Sequence, residues 1–580
     1  MTRGEHRLRG EVIERLLDLP CEARNRWEIF PKAPMSELKG VPGVHPLAVQ
    51  VLYNRGIQGP DAVGAFLSGG QVPLSDATVM KGMPEAVARL KRAVAEREPV
   101  VVYGDYDADG VTSTTLLVGC LRALKLPTTF FVPDRYRHGY GLNRAAIDEI
   151  CQRGARLIVA VDCGISAVSE VAYARELGID VVVLDHHHVP PVLPDARAVV
   201  NPHQDGCLYP FKDLCGVGLA HRFAQALFAE LGRDPGLADQ WLDLVALGTV
   251  ADIVPLLGEN RVLVARGLAA MKRAPRPGVR AMIESAALKG AITAHTIGYI
   301  LGPRLNAPGR LATAELSLKL LAATDEKEAS ALARKLSEVN QERQQLTEQM
   351  CRHAEEILQV RGELSKLIFV SSEDFKSGLV GLVAGRLKEE YCRPVLVAQE
   401  DGKVAHGSAR SIDAFHVTEA LAACQDLLTR FGGHAHAAGF TVPRENLGAL
   451  RQRLEDLAAK QIPDAALQPT LYADAEVRLD RVGPSIIDSL EALEPFGQGN
   501  PSPSFVSRGL KVVWRGTVGA EQQHLKLRLW DGTRAWEAIG WRLADRPIGD
   551  VIDIAYAFER HAWNGTTTTR LLLVDFQGST

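Results

Sequence analysis

Three aspartates fall within five residues, Asp105, Asp107 and Asp109, in the stretch Gly104-Asp-Tyr-Asp-Ala-Asp-Gly110. Carboxylates packed this closely repel one another, and a divalent cation relieves the repulsion; hard oxygen ligands point to magnesium or manganese. Asp-x-Asp-x-Asp-Gly also opens an EF-hand, but that loop needs a bidentate glutamate as its twelfth residue. Counting from Asp105, the twelfth residue is Leu116, which argues against a calcium loop. Three more sites carry the same chemistry: Asp162 after Leu157-Ile-Val-Ala-Val161, the run Asp185-His186-His187-His188 after Val181-Val-Val-Leu184, and Asp252 in Gly248-Thr-Val-Ala-Asp252. A lone Asp after a strand is ordinarily a helix N-cap; four such sites in one chain point to metal binding. Carboxylates with one or two imidazoles suit two divalent cations, Mn2+ or Mg2+, manganese being favoured where histidine ligates. Two ions about 4 Å apart clamp the attacking and leaving oxygens of a phosphoryl group, so the chemistry implied is hydrolysis of a phosphate ester or anhydride. Adjacent residues point in different directions, so His188 receives no ligand role.

The elements that must position these groups follow from hydrophobic period. Short β-branched runs at 100–103, 129–132, 157–161, 181–184 and 198–200 read as strands, and 143–153 and 166–177 as helices. Strands alternating with helices imply a mostly parallel sheet covered on both faces. In such a sheet ligands bind at the carboxyl ends of the strands, and the acidic residues end there.

The chain has 580 residues, too many for one core, with 46% hydrophobic and 23% charged residues and a net charge of −4. That charge argues against bulk nucleic-acid affinity but not against a local basic groove. No apolar run approaches membrane-spanning length, and the first ten residues lack the apolar core of a signal peptide. Nine scattered cysteines without a Cys-x-x-Cys pair fit reduced thiols in the cytoplasm. The expected fold class is α/β, in five parts. Residues 1–75 form an N-terminal lobe with helices at 45–53 and 61–67, and 76–310 the parallel-sheet domain, which closes on a Gly- and Pro-punctuated segment at 290–310. Residues 311–362 form a helical connector, since 311–359 contain neither Gly nor Pro. A second, smaller α/β domain occupies 363–463, with strands at 367–370 and 394–398. From 464 to 580 alternation at Leu525, Leu527 and Leu529 and at Ile552, Ile554 and Tyr556, with a hairpin signal at Asp531-Gly532, predicts a five-stranded β-barrel of the OB type. Residues 471–580 hold 12 Lys/Arg and 14 Asp/Glu, but 503–546 hold 8 basic and 4 acidic residues together with Trp514, Trp530, Trp536 and Trp541. Basic residues interleaved with aromatics fit single-strand binding, and some of these tryptophans must be core.

Taken together, Gly104-Asp-Tyr-Asp-Ala-Asp-Gly110, Val161-Asp-Cys-Gly164, Leu184-Asp-His-His187 and Gly248-Thr-Val-Ala-Asp252 resemble the four phosphoesterase motifs of the DHH superfamily. Gly302-Pro-Arg-Leu-Asn-Ala-Pro-Gly-Arg310 resembles a segment of that superfamily's single-strand-specific exonucleases, and Phe431-Gly-Gly-His-Ala-His-Ala-Ala-Gly439 the Gly-Gly-His signature of the associated DHHA1 domain. The resemblance implies Asp107, Asp109, Asp162, His186 and Asp252 as metal ligands, and Asp105 as a ligand or a carboxylate that supports one. It implies that His187 touches the scissile phosphate. Some DHH phosphatases open the first motif with His; Tyr103 stands there in this chain, which tilts the reading toward the exonuclease branch.

Substrate-facing expectations fall on three segments. Asp134-Arg-Tyr-Arg-His-Gly-Tyr-Gly141 offers Arg135 and Arg137 for phosphate and Tyr140 for stacking. Arg304, Asn306 and Arg310 sit among Pro and Gly before the connector. In the second α/β domain Ser408, Arg410, Gly433 and His434 are placed to grip the strand, because glycine lets the backbone approach phosphate and Ser, Arg and His donate to it. The resemblance implies a 5′→3′ exonuclease acting on single-stranded DNA in repair and recombination, releasing mononucleotides as a cytoplasmic monomer, with single-strand binding protein and a helicase as partners. The alternatives are a DHH phosphodiesterase or pyrophosphatase on short oligonucleotides or cyclic dinucleotides, and a non-catalytic replication scaffold.

Overall fold

The computed structural model describes residues 25–579 apart from 40, 135–140, 289, 363, 520 and 564–565. A short strand β1 (Arg26–Ile29) and three helices, Met35–Lys39, Pro46–Asn54 and Pro60–Leu67, precede the first large domain. That domain is built on β2 (Val100–Gly104), β3 (Thr128–Phe131), β4 (Leu157–Val161), β5 (Asp180–Leu184) and β6 (Ala198–Val200), in the order β3-β2-β4-β5-β6 and parallel throughout. Strands β2 and β4 are buried at every residue, as a sheet covered on both faces requires. The register decides the chemistry: Gly104 pairs with Val161 and Val161 with Leu184. The next residues, Asp105, Asp162 and Asp185, therefore leave the sheet side by side. Behind them the helix Ala108–Ala123 runs through the core, packed by Gly216–Glu230 and Leu242–Ala251.

Of the expected connector only the later part is one long helix, Glu326–Arg361, while Glu315–Ala322 forms a separate helix in the core of the first domain. The long helix is opened by an Asp325 side chain that accepts from the Glu328 N–H at 2.8 Å. Its 36 residues span about 54 Å. Ala329, Ala333 and Leu336 join the core of the first domain, and Met350, Cys351 and Ala354 that of the second, so one rigid rod is shared by two cores. The second domain holds β7 (Ile368–Ser372), β8 (Val395–Asp401), β9 (Val404–Arg410), β10 (Arg430–Gly433) and β11 (Ala437–Pro443) in the order β10-β11-β9-β8-β7; only β7 and β8 run parallel.

After β12 (Thr470–Ala473) and β13 (Ala475–Glu476) come β14 (Phe505–Val518), β15 (His524–Trp530), β16 (Ala535–Gly540), β17 (Val551–Trp563) and β18 (Thr566–Gly578). The last five close on themselves, because β14 pairs with both β15 and β17. This is the five-stranded barrel expected, with Leu525, Leu527 and Leu529 inside. The N-terminal lobe belongs with it: β1 pairs in parallel with β12, and Ala48, Leu52, Val63 and Phe66 share the barrel's core. Arg261, buried on the helix Gly258–Arg273, pins the assembly to the first domain. Its guanidinium donates to the Glu494 carbonyl (2.7 Å) and the Leu493 carbonyl (2.9 Å) and lies 3.7 Å over the Phe66 ring.

The segment 290–310 departs from its punctuated sequence. It forms a π-helical turn, Ile297–Leu301, running into the helix Gly302–Leu311 with Pro308 inside it. Pro303 falls at the junction with the π-helical turn, where Leu301 and Gly302 before it are already helical, so its missing N–H interrupts a continuous run of backbone bonds. Gly309 is required by contact: a Cβ there would meet the Tyr106 carbonyl oxygen at 2.5 Å. Local composition could not show that this helix has to lie directly against the aspartate loop.

Candidate metal centre

Each acidic group is held by a different device. Asp107 caps the helix Ala108–Ala123, its Oδ1 accepting from the Gly110 N–H at 3.0 Å. Asp109, in the first turn of that helix, is 1% exposed and accepts from the Gly216 N–H (2.6 Å) and the Val217 N–H (2.8 Å), at the N-terminus of another helix. Residue 216 is necessarily glycine, since a Cβ would lie 2.7 Å from that of Asp162 and 3.0 Å from Asp109 Oδ2. Asp162 is no N-cap. It turns off β4 in the left-handed region, φ +60°, which aspartate tolerates better than most residues. Asp252 ends the helix Leu242–Ala251. A carboxylate at a helix C-terminus faces the negative end of the dipole, a poor place for it unless a cation shares the site.

The groups converge. His186 Nε2 lies 3.1 Å from Asp162 Oδ1, 3.7 Å from Asp252 Oδ2 and 3.9 Å from Asp109 Oδ2. Three overlapping sets, Asp162/His186/His187, Asp109/His186/Asp252 and Asp105/Asp107/Asp162, each bring ligand atoms within 4.8 Å of one another. Burial pushes the carboxyls of Asp109, Asp162 and Asp252 above the usual range, and their mutual repulsion adds to it. Burial holds His186 down to about 4, keeping its imidazole neutral as a metal ligand must be. A donor set of buried oxygens that repel each other, with one neutral imidazole among them, fits divalent cations of the Mn2+ or Mg2+ kind.

His187 is set apart. Its Nδ1 lies 2.7 Å from Asp185 Oδ1, and Asp185 also accepts from the His187 N–H (3.1 Å) and the Ile165 N–H (2.9 Å). Burial opposes charge on His187, but the Asp185 bond and charge prevail and carry it to about 9. The same contact holds Asp185 below the usual carboxylate range despite its burial. His187 is thus oriented through Nδ1, which turns its other ring nitrogen away from Asp185. His188 is exposed.

Other expected residues fall into separate groups. Asn306 Oδ1 accepts from the Ala108 N–H at 2.6 Å, so it braces the aspartate loop. Arg304 donates from Nη1 to the Ile300 carbonyl at 2.9 Å. Ser408 and Arg410 meet on β9, with Nη1 3.0 Å from Oγ, while Gly433 and His434 are exposed at the end of β10. Arg135, Arg137 and Tyr140 lie outside the described residues, and Arg310 is half-buried on the helix Gly302–Leu311. Sequence reasoning missed Asn201, which donates from Nδ2 to the His187 carbonyl (2.8 Å) and accepts from the His203 N–H (2.8 Å), and so fixes the loop carrying both histidines. The only signal for it was its place just after a strand. It also missed Gly216, whose Gly-Val-Gly start of a helix was the available cue.

Profiles of known families match this chain in three places: the DHH family, N-terminal domain, at residues 99–249, the DHHA1 domain at 364–460, and the RecJ OB domain at 473–575. The chain is 36% identical over 563 residues to the single-stranded-DNA-specific exonuclease RecJ of Bacillus subtilis, covering 95% of this chain and 71% of that protein. It is similar to the crystal structure of RecJ in complex with Mn2+ from Thermus thermophilus, with TM-score 0.83, 31% identity, and coverage of 96% of this chain and 80% of that one. The Mg2+ complex from the same organism matches at TM-score 0.78 and 30% identity over 96% and 79%.

Proposed function

The chain belongs to the RecJ family of single-stranded-DNA-specific exonucleases, and from that premise we propose that it hydrolyses single-stranded DNA from the 5′ end to mononucleotides at a two-cation centre. The observation that carries the chemistry is the convergence of Asp109, Asp162 and Asp252 on His186 Nε2 within 3.9 Å. Asp105, Asp107, Asp109, Asp162, His186 and Asp252 hold the ions. A pair of divalent cations supplies Lewis acidity at the phosphoryl oxygens and makes water nucleophilic at neutral pH. His187, oriented by Asp185, donates to the phosphate where negative charge develops. Asn201 and Asn306 keep the histidine and aspartate loops in place. Arg304 and Arg310 bind the strand leading to the centre, and Ser408, Arg410, Gly433 and His434 grip it on the second domain.

The exposed tryptophans of the barrel favour a polymer over a short or cyclic nucleotide. The five-part division, with 1–75 and 464–580 acting together, is part of this reading. So are a monomeric state, a cytoplasmic location, and single-strand binding protein and a helicase as partners. No helix among the described residues is long and apolar enough to cross a membrane. The test uses 5′- and 3′-labelled single- and double-stranded DNA with Mn2+, Mg2+ or EDTA. Mononucleotide release from the 5′ end of the single strand, abolished by EDTA, is expected; undiminished activity in EDTA rules the two-cation centre out.

A further inference from the structure

Between the first domain and the barrel lies a cavity of about 840 Å3 whose wall includes residues on either side of Asp252, Ala251 and Ile253. Ile253 lines it. Isoleucine at φ +64° is a strained conformation, since a β-branched side chain crowds its own backbone there. Its side chain nonetheless points into open space, with the residue 69% exposed. A glycine would make the same turn without strain. Packing therefore does not account for the side chain, and a contact with something that enters the cavity does.

Tyr299 lines the same cavity. It is 75% exposed, with its ring stacked 4.5 Å from that of His295. It sits in the π-helical turn Ile297–Leu301, an irregularity common at functional sites. The charged lining of the cavity is acidic, with Glu491, Glu494 and Glu559. Arg560, also on the wall, is already engaged by Glu491 at 2.5 Å and by Asp488. Glu559 is likewise paired, with Arg570 at 2.5 Å, so the wall offers phosphate no unpaired guanidinium and accepts a flat neutral ring.

We propose that Ile253 and the Tyr299–His295 pair form a base-holding station beside the metal centre, where a base of the DNA strand packs while its phosphates stay outside the acidic wall. This rests on the exonuclease reading and adds to it residues that set how the strand is presented to the ions. The station reads shape and not base identity, because it offers a π face and an aliphatic edge.

The test compares wild type with Ile253→Gly and Tyr299→Ala on two strands of equal length, oligothymidine and an all-abasic strand of tetrahydrofuran nucleotides. Each substitution should raise KM for oligothymidine about fivefold or more, the worth of one lost stacking contact, with a much smaller change in kcat. On the abasic strand both variants should match wild type. Ile253→Gly should unfold at no lower a temperature, because glycine relieves the backbone strain. An unchanged KM on oligothymidine overturns the station. So does a penalty that persists on the abasic strand, which would mark a structural role. Wild-type protein that leaves oligothymidine intact with Mn2+ overturns the exonuclease reading instead. Fluorescence anisotropy of the two strands in EDTA then still decides the station: a preference for oligothymidine lost in both variants supports it, and no preference in wild type overturns it.

Discussion

At the metal centre Asp109 and Asp162 are 1% and 2% exposed, while on the barrel Trp514, Trp530 and Trp541 stand 51%, 40% and 51% exposed. The first region concentrates like charges where solvent cannot screen them, so each group depends on its neighbours and on a cation. The second spreads aromatic and basic groups over a surface: Trp514 faces Arg528 across β14 and β15, and Lys511 faces Trp530. There each contact is weak, independent and replaceable. A hydrolase acting on a polymer needs both, a centre that tolerates no change and a track that tolerates many small ones.

Losing one member of the centre should therefore cost most. Asp109→Asn and Asp162→Asn should each abolish turnover on labelled single strands in Mn2+. The thermal midpoint in EDTA should hold or rise for Asp162→Asn, which relieves a buried repulsion, and fall for Asp109→Asn, which gives up one of its two backbone N–H bonds. Substantial residual activity in either variant would show the centre to be as tolerant as the barrel, and the contrast would collapse. His187→Ala should come next. A loss in kcat on the order of 10²–10³ is expected for removing a group that meets developing charge, with KM barely moved. An unchanged rate at saturating DNA would remove His187 from the chemistry.

The barrel should show the smallest effects and an internal contrast. Trp514→Ala should weaken binding of a long strand by the roughly 1–3 kcal/mol of one stacked base, leave stability alone, and spare the shortest oligonucleotides. Trp536 is 5% exposed, with its Nε1 donating to Asp531 at 2.8 Å and Arg534 3.9 Å over its ring. Trp536→Ala should instead destabilise the fold by about 3–5 kcal/mol. Equal effects of the two substitutions on binding, read by anisotropy against salt, would deny the barrel an outer binding face.

Much of this was legible in advance. The strands of the first sheet fall within a residue of their expected bounds, because five-residue β-branched runs ending in acidic turns have few other uses. The barrel showed in its alternation and the long helix in its lack of breakers. Asp162 departs from the ordinary N-cap, since its backbone conformation answers to the groups it must meet. The helix Gly302–Leu311 contradicts its own composition for the same reason, its Gly309 being fitted to Tyr106.

The amino-acid sequence by itself determined the kinds of element and the kind of chemistry, because hydrophobic period and the clustering of hard ligands are properties of neighbours along the chain. Tertiary structure alone decided which carboxylates share His186, that Asn201 and Asn306 brace the loops, that the N-terminal lobe packs into the barrel's core, and that Trp536 is buried while Trp514 is not. Those outcomes depend on register and burial between separate segments, 14 residues apart for Asn201 and His187 and 198 for Asn306 and Ala108. Local propensity carries no record of what will lie opposite, whereas the energy of a charge or a ring depends on little else.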